Sequence, residues 1–151
     1  MTGGLNQGFE RVPERAEAAG RTVVDAALAV HRALGPGLLE SAYEACLAWE
    51  LERRGCAVAR QRILPLRYAE VEIEAGYRLD LLVNDAVIVE IKAVEALGAL
   101  HEAQLLTYLR LSGLRLSGLR LSGLRLSGLR LGFLINFNVP LVKQGMKRMV
   151  C

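Results

Sequence analysis

Two apolar segments, Tyr77 to Val83 and Ala86 to Lys92, flank the dipeptide Asn84-Asp85. Both segments are dense in Val, Leu and Ile and read as strands. Asn-Asp is good hairpin-turn chemistry, because both residues tolerate left-handed backbone. An antiparallel pair of strands is therefore the feature around which the rest of the chain must be arranged. Val58 to Arg67 and Val71 to Ile73 read as further strands on the N-terminal side. Helical spacing precedes them. Pro13 to Leu34 places Val23, Ala27, Val30 and Leu34 three and four residues apart, and Pro13 is acceptable in a first turn. Gly35-Pro36-Gly37 must stop that helix. A second helix is expected from about Leu39 to Arg54, with Tyr43, Leu47 and Leu51 on one face and Gly55 as its end. Beyond the hairpin, helical spacing returns from about Leu100 to Leu109, and Leu131 to Phe137 reads as an apolar strand. The order helix, helix, strands, helix, strand predicts a mixed α/β (α+β) domain packed in layers. Residues 1–12 are Gly-rich and polar and read as a loose tail, leaving 13–151 as one domain.

The hairpin also carries the chemistry. Side chains alternate along a strand, so Glu90 and Lys92 project from the same side. If the loop is three residues, 84 to 86, cross-strand partners sum to 170 and Asp80 stands opposite Glu90, whereas a two-residue loop would make the pair diagonal, looser but still workable. Cβ atoms in such a pair lie about 4.5–5.5 Å apart. Two carboxylates at that separation repel, and one must stay protonated unless a cation lies between them. A hard divalent ion, Mg²⁺ or Mn²⁺, suits such a pair. It would polarise a phosphate while Lys92 holds or activates the attacking water. A Glu-x-Lys on a strand is more often just a solvated face. What argues otherwise is that Asp80 and Glu90 interrupt strands that are nearly all apolar, where a charge needs a partner or a metal.

Other residues agree with this reading, although each has an ordinary structural role to fall back on. Gln104 and Tyr108 are four apart and share a helix face. They would otherwise be an exposed polar residue and a core contact. Glu40 opens the second helix just after Gly37, where a negative charge is favourable in any case. His31 and His101 have no cysteines or further ligands at spacings that would make a zinc site.

Taken in order, these residues resemble a known family. Gly37-Leu-Leu-Glu40-Ser-Ala-Tyr43 reads as the G-x-x-E-x-x-Y signature of the small bacterial GxxExxY proteins, which resemble the PD-(D/E)XK nucleases. The likeness extends from about Val23 to Val150. It takes in His31-Arg-Ala-Leu-Gly-Pro-Gly, Gly76-Tyr-Arg-Leu-Asp80, Ile88-Val-Glu-Ile-Lys92, His101-Glu-Ala-Gln104 and Ile135-Asn-Phe-Asn138. The resemblance implies a restriction-endonuclease-like core, a central mixed sheet flanked by helices. It implies Asp80 and Glu90 as metal ligands, Lys92 as the catalytic lysine and Glu40 as an acidic residue supplied by the preceding helix. Gln104-x-x-x-Tyr108 looks like the Q-x-x-x-Y motif of the RecB-like branch, near the metal or the substrate phosphate. The implied function is metal-dependent hydrolysis of DNA or RNA. The alternatives are a nuclease-fold binding or assembly module with weak or no catalysis, and a duplication product with a damaged core.

The last alternative arises from Ser112-Gly-Leu-Arg-Leu116, which recurs unchanged at 117–121, 122–126 and 127–131. The resemblance implies one such unit, so the repeat is an insertion within 112–131. Its period fits neither regular structure well. A Gly every five residues costs a helix about 1 kcal/mol each against Ala, and each Ser-Gly in a strand reverses the face of the leucines. A helix extension or an irregular protrusion is expected, and long surface insertions cost little loop entropy. The repeat also explains the charge. The chain has 19 Lys+Arg and 16 Asp+Glu, and removing three copies brings the first figure down to the second. The remainder is near neutral and gives no basic footprint of its own. Three cysteines without C-x-x-C spacing argue against a disulfide framework or a zinc knuckle. No apolar run suits a signal peptide or a membrane span, so a soluble, cytoplasmic protein with no membrane partner is expected.

Overall fold

The computed structural model describes residues 12–73, 77–116 and 130–151. Helix α1 (Glu14–Leu34) begins immediately after Pro13, whose fixed φ suits a helix entrance. It ends where Gly35 and Gly37 take φ values of 66° and 100°, a backbone that side-chain-bearing residues rarely adopt. Helix α2 (Glu40–Arg53) follows at once, and its C-terminal turn closes on Gly55. Val23, Ala27, Tyr43, Leu47 and Leu51 are all completely buried, as their spacing predicts. Leu34 departs from that expectation and is exposed, because it lies at the end of α1 beyond the sheet-facing turn.

Strands β1 (Val58–Ile63), β4 (Arg78–Val83), β5 (Val87–Lys92), β6 (Leu131–Asn136) and β7 (Met146–Val150) form one sheet in the order β1-β4-β5-β6-β7. All neighbours are antiparallel except β5 and β6. That parallel pair is joined through α3 (Ala99–Leu116). A separate small ladder pairs β2 (Leu66–Tyr68) with β3 (Val71–Ile73). The single strand expected at Val58 to Arg67 is thus two strands, divided at Leu64-Pro65. Proline carries no N–H for a ladder, and Leu64 is buried where the chain turns from one sheet to the other. Strand β7 was not expected, because the adjacent charges Lys147 and Arg148 break the apolar alternation and leave a weak strand signal. Both edges of the sheet, β1 and β7, are rich in basic side chains, which discourages further strand pairing.

Helices cover both faces of the sheet. Against one face, α1 and α2 pack on Leu81, Val83, Val87, Val89, Ile91, Phe133 and Ile135. Against the other, Leu105, Tyr108 and Leu109 of α3 pack on Leu82, Ile88 and Leu134. Covered on both sides, β6 is buried along its whole length and β5 as far as Ile91, which is why both read as continuous apolar runs. Gly132 permits the close approach of α3, since a Cβ there would stand 3.0 Å from a Leu105 methyl carbon.

The first pentad continues α3 to Leu116, so at this copy the helix extension is what forms. Ser112 is buried, and its hydroxyl donates 2.7 Å to the carbonyl of Leu109, a local satisfaction that lets serine sit inside a helix. Residues 117–129, with the second and third copies and most of the fourth, lie outside the described residues, as do residues 1–11 of the expected tail. The last residue of the fourth copy, Leu131, is fully buried and pairs with Val87, in register with the rest of β6. The strand after the repeat is therefore in place.

Candidate active site

The hairpin register follows the count made from its loop. Leu81 pairs with Val89, Leu82 with Ile88 and Val83 with Val87, all summing to 170. Asn84 and Asp85 both take left-handed φ, near 50°, as the turn requires. At Asp80 and Glu90 the regular ladder stops and side chains take over its hydrogen bonds. The amide of Ile91 donates 2.8 Å to Asp80 Oδ2, and the amide of Asp80 donates 3.2 Å to Glu90 Oε1. The strand also switches faces here. Leu81 belongs to the core under α1 and α2, but Leu79, two residues earlier, belongs to the core under α3. Strict alternation would put both on one side. On the neighbouring β1, Gln61 is absent from the run of paired residues and has a φ of 51°. A local break in two adjacent strands thus lets Asp80 stand at an opening in the sheet.

That opening faces α2. Glu40, Ser41, Glu44, Gln61, Asp80 and Ile91 line a cleft of about 380 Å³. Glu40 Oε1 accepts from the amide of Ala93 at 3.2 Å, just beyond the end of β5. The first residue of α2 is thereby fixed against the strand that carries Glu90 and Lys92. Glu44, one turn further along α2, went unrecognised in the sequence. It is only 7% exposed, is paired with Arg60 at 3.1 Å, and accepts from the Gln61 amide. Gln61 also donates 3.2 Å to Asp80 Oδ1, so the amide links the two carboxylates. The signal available was the spacing of four between Glu40 and Glu44, which sets both on one helix face. Nothing in a strand of alternating arginines marked Gln61.

On the α3 side, Glu90 is 5% exposed and Lys92 ends β5 in partial exposure. Burial, and next the negative charge of Asp80, push the Glu90 carboxyl up to about 9, while the Lys92 ammonium opposes the shift. Burial also raises Asp80, with the charge of Glu44 adding to it. Tyr108 is raised by burial and by the charges of Glu90 and Asp80, with the nearby Gln104 side chain opposing the shift. Gln104 and Tyr108 therefore belong to the same neighbourhood as the carboxylate pair. His31 does not. Its Nε2 lies 2.8 Å from the carbonyl of Val139, and its ring is beside Phe137.

The loops around this site are held by buried polar side chains. Tyr43 is stacked on Phe137 at 4.6 Å between centroids. Its hydroxyl donates 2.6 Å to the carbonyl of Gly35 and accepts from the amide of Leu38 at 3.1 Å. It thus pins the turn that delivers Glu40. Asn136 does the same beyond β5, accepting from the amides of Val94 and Asn138 and donating to the carbonyl of Val94 at 2.9 Å. Tyr43→Phe removes two hydrogen bonds worth about 1 kcal/mol each. It is expected to lower the Tm by several degrees and to weaken any activity that depends on Glu40. A thermal melt beside an activity assay checks both.

A sequence model of the PD-(D/E)XK nuclease superfamily matches residues 17–149, which is most of the chain. The chain belongs to that superfamily. Searches of curated proteins and of solved structures returned no match. For a PD-(D/E)XK nuclease domain, a five-stranded mixed sheet with helices on both faces is the consistent architecture. Nuclease activity in general, with divalent metal ions and a nucleic-acid substrate, is what the superfamily suggests. Among the described residues no helix is long and apolar enough to cross a membrane.

Among the described residues no three His, Cys, Asp or Glu side chains are grouped as a closed metal cage. Mg²⁺ does not require one, because it keeps several waters and is commonly held by one or two carboxylates plus substrate phosphates. Two hard oxygen donors are present at the right place. The Asp80–Glu90 pair is buried, mutually repulsive and raised in both members, the state that a dication would relieve. The residues fit the ion.

Proposed function

We propose that this PD-(D/E)XK domain is a nuclease that hydrolyses phosphodiester bonds of DNA or RNA with Mg²⁺ or Mn²⁺. The observation that carries the reading is the meeting of Asp80 and Glu90 at a break in the sheet, with Lys92 at the end of the same strand and Glu40 held beside it. Asp80 and Glu90 would hold the cation. When bound, it supplies polarisation of the scissile phosphate and neutralisation of the charge that builds on it. The protein's own groups do the remainder. Lys92 holds the attacking water, whose oxygen forms the new bond to phosphorus as the bond to the leaving oxygen breaks, the water giving up its proton to solvent and the leaving oxygen taking one from it. Among the described residues its ammonium has no ion-pair partner, which leaves it available for that task. Glu40 orients solvent in the cleft, and the Gln104–Tyr108 pair positions the substrate phosphate. Within the superfamily, the G-x-x-E-x-x-Y and Q-x-x-x-Y spacings favour the GxxExxY proteins and the RecB-like branch. Three unpaired cysteines suit a reducing, cytoplasmic setting.

The test is cleavage of labelled single- and double-stranded DNA and RNA, with Mg²⁺, with Mn²⁺ and with chelator. Metal-dependent cutting that falls about a hundredfold or more in Lys92→Ala is expected. A cooperatively folded protein that binds Mn²⁺ and cuts none of the four substrates would overturn the nuclease reading. The domain would then be a nuclease-fold binding module, a reading that the acidic lining of the cleft favours over strong nucleic-acid retention.

A further inference from the structure

A second cavity, of about 550 Å³, lies beside the carboxylate site on the α3 side of the sheet. Its lining includes Leu66, Tyr77, Leu100, Gln104, Thr107 and Tyr108. Most of this surface is apolar, yet it is open to water. Tyr77 is 42% exposed and Leu100 81% exposed. The ring of Tyr77 meets that of Tyr108 edge-on, with centroids 6.3 Å apart. Tyr108 in turn lies within the field of Glu90 and Asp80, so one wall of the cavity feels the charge of the carboxylate pair. Gln104 also lines this wall.

We propose that this cavity takes an unstacked nucleobase of the substrate strand, with Tyr77 as its stacking surface. The inference rests on the nuclease reading above and narrows its substrate to single strands or frayed ends. Duplex bases are stacked and paired inside the helix, and a protein holds a duplex chiefly through phosphates and basic side chains. This lining offers an aromatic face and mostly apolar walls, with the Gln104 amide and the His101 imidazole among its few polar groups and no Lys or Arg among the described lining residues. Such a surface suits a splayed base, because every base has a π-face and stacking tolerates any sequence. The near balance of acidic and basic residues outside the repeat, a poor footprint for duplex, is consistent with binding through bases.

The experiment measures binding in chelator, where no cutting occurs. Fluorescently labelled oligothymidylate, oligouridylate and a blunt-ended DNA duplex are titrated against the full chain, Tyr77→Ala and Tyr77→Phe. At least one single strand is expected to bind about tenfold tighter than the duplex. Tyr77→Ala should lose about tenfold for that strand and change little for the duplex, whereas Tyr77→Phe, which keeps the ring, should bind as the unaltered chain does. An unchanged Tm for Tyr77→Ala shows that the loss is local. Equal or tighter binding of the duplex overturns the proposal, and so does single-strand binding that ignores loss of the Tyr77 ring. The two readings fail separately. Ring-dependent binding by a chain that never cuts upholds the base site and removes the nuclease reading. Metal-dependent cutting of duplex without regard to Tyr77 does the reverse.

Discussion

Glu90→Ala is expected to abolish metal-dependent cleavage, lowering the rate by about a thousandfold or more while the protein still folds. The magnitude follows from what is removed. Loss of one preorganised group that stabilises transition-state charge commonly costs about a hundred- to a thousandfold. Here the change would also remove one of only two proposed metal ligands. The folding penalty is small by comparison. The alanine leaves the amide of Asp80 without its acceptor at 3.2 Å, which costs about 1–3 kcal/mol. Because the Glu90 carboxyl is pushed up to about 9 and holds its proton at neutral pH, the change relieves little charge repulsion in return. Asp80→Ala should be as damaging to activity and more damaging to stability, because Asp80 accepts from Ile91 as well as from Gln61. Rates are compared for the single variants at saturating Mn²⁺, each with a thermal melt. If Glu90→Ala keeps cleavage within tenfold of the unaltered chain, the carboxylate pair is not the catalytic centre.

The legible part of this site was the part governed by strand periodicity and local turn chemistry. The Asn84-Asp85 turn fixes the register of β4 on β5, and counting outward from it sets Asp80 across from Glu90. What counting could not supply is the interruption at that point. The face switch between Leu79 and Leu81, and the left-handed backbone of Gln61 beside it, arise from contacts between β1, β4 and α2 that no single segment encodes. Glu44 was missed for the same reason. On a helix it is one acidic residue among several, and its role depends on Arg60, Gln61 and Asp80 reaching it from two strands. The Tyr43 of the G-x-x-E-x-x-Y spacing was visible as a core position, but its bonds to Gly35 and Leu38 were not. The motif therefore has two parts in this fold, a glycine turn locked by a tyrosine and a glutamate delivered by that turn. The end of α3 shows the limit of propensity. Glycine at 113 argues against helix, yet α3 continues to Leu116, because its inner turn at Leu109 and Ser112 is already buried against the sheet.

In the absence of metal, the stability of the protein is expected to fall as pH rises from about 5 to about 9. The Glu90 carboxyl titrates near 9 in the folded protein, held there first by burial and then by the charge of Asp80. In the unfolded chain it returns to the ordinary glutamate value of about 4.3. Between those limits the folded state keeps a proton that the unfolded state has released. Its contribution is complete below the unfolded value and is lost as pH climbs through the folded one. The slope for one such proton is at most about 1.4 kcal/mol per pH unit. For a chain of this size that corresponds to a fall in Tm of up to about 10 °C between pH 6 and pH 8. Glu90→Gln should flatten the profile and melt higher at pH 8, since the amide is neutral and can still donate to Asp80. A divalent cation must displace the proton, so the stabilisation by Mn²⁺ should grow with pH, by about tenfold in apparent affinity per unit. Melts from pH 5 to 9, with and without Mn²⁺, read both effects. A flat metal-free profile, or the same slope in Glu90→Gln, would show that the buried carboxylate is not the group that couples folding to protons and metal.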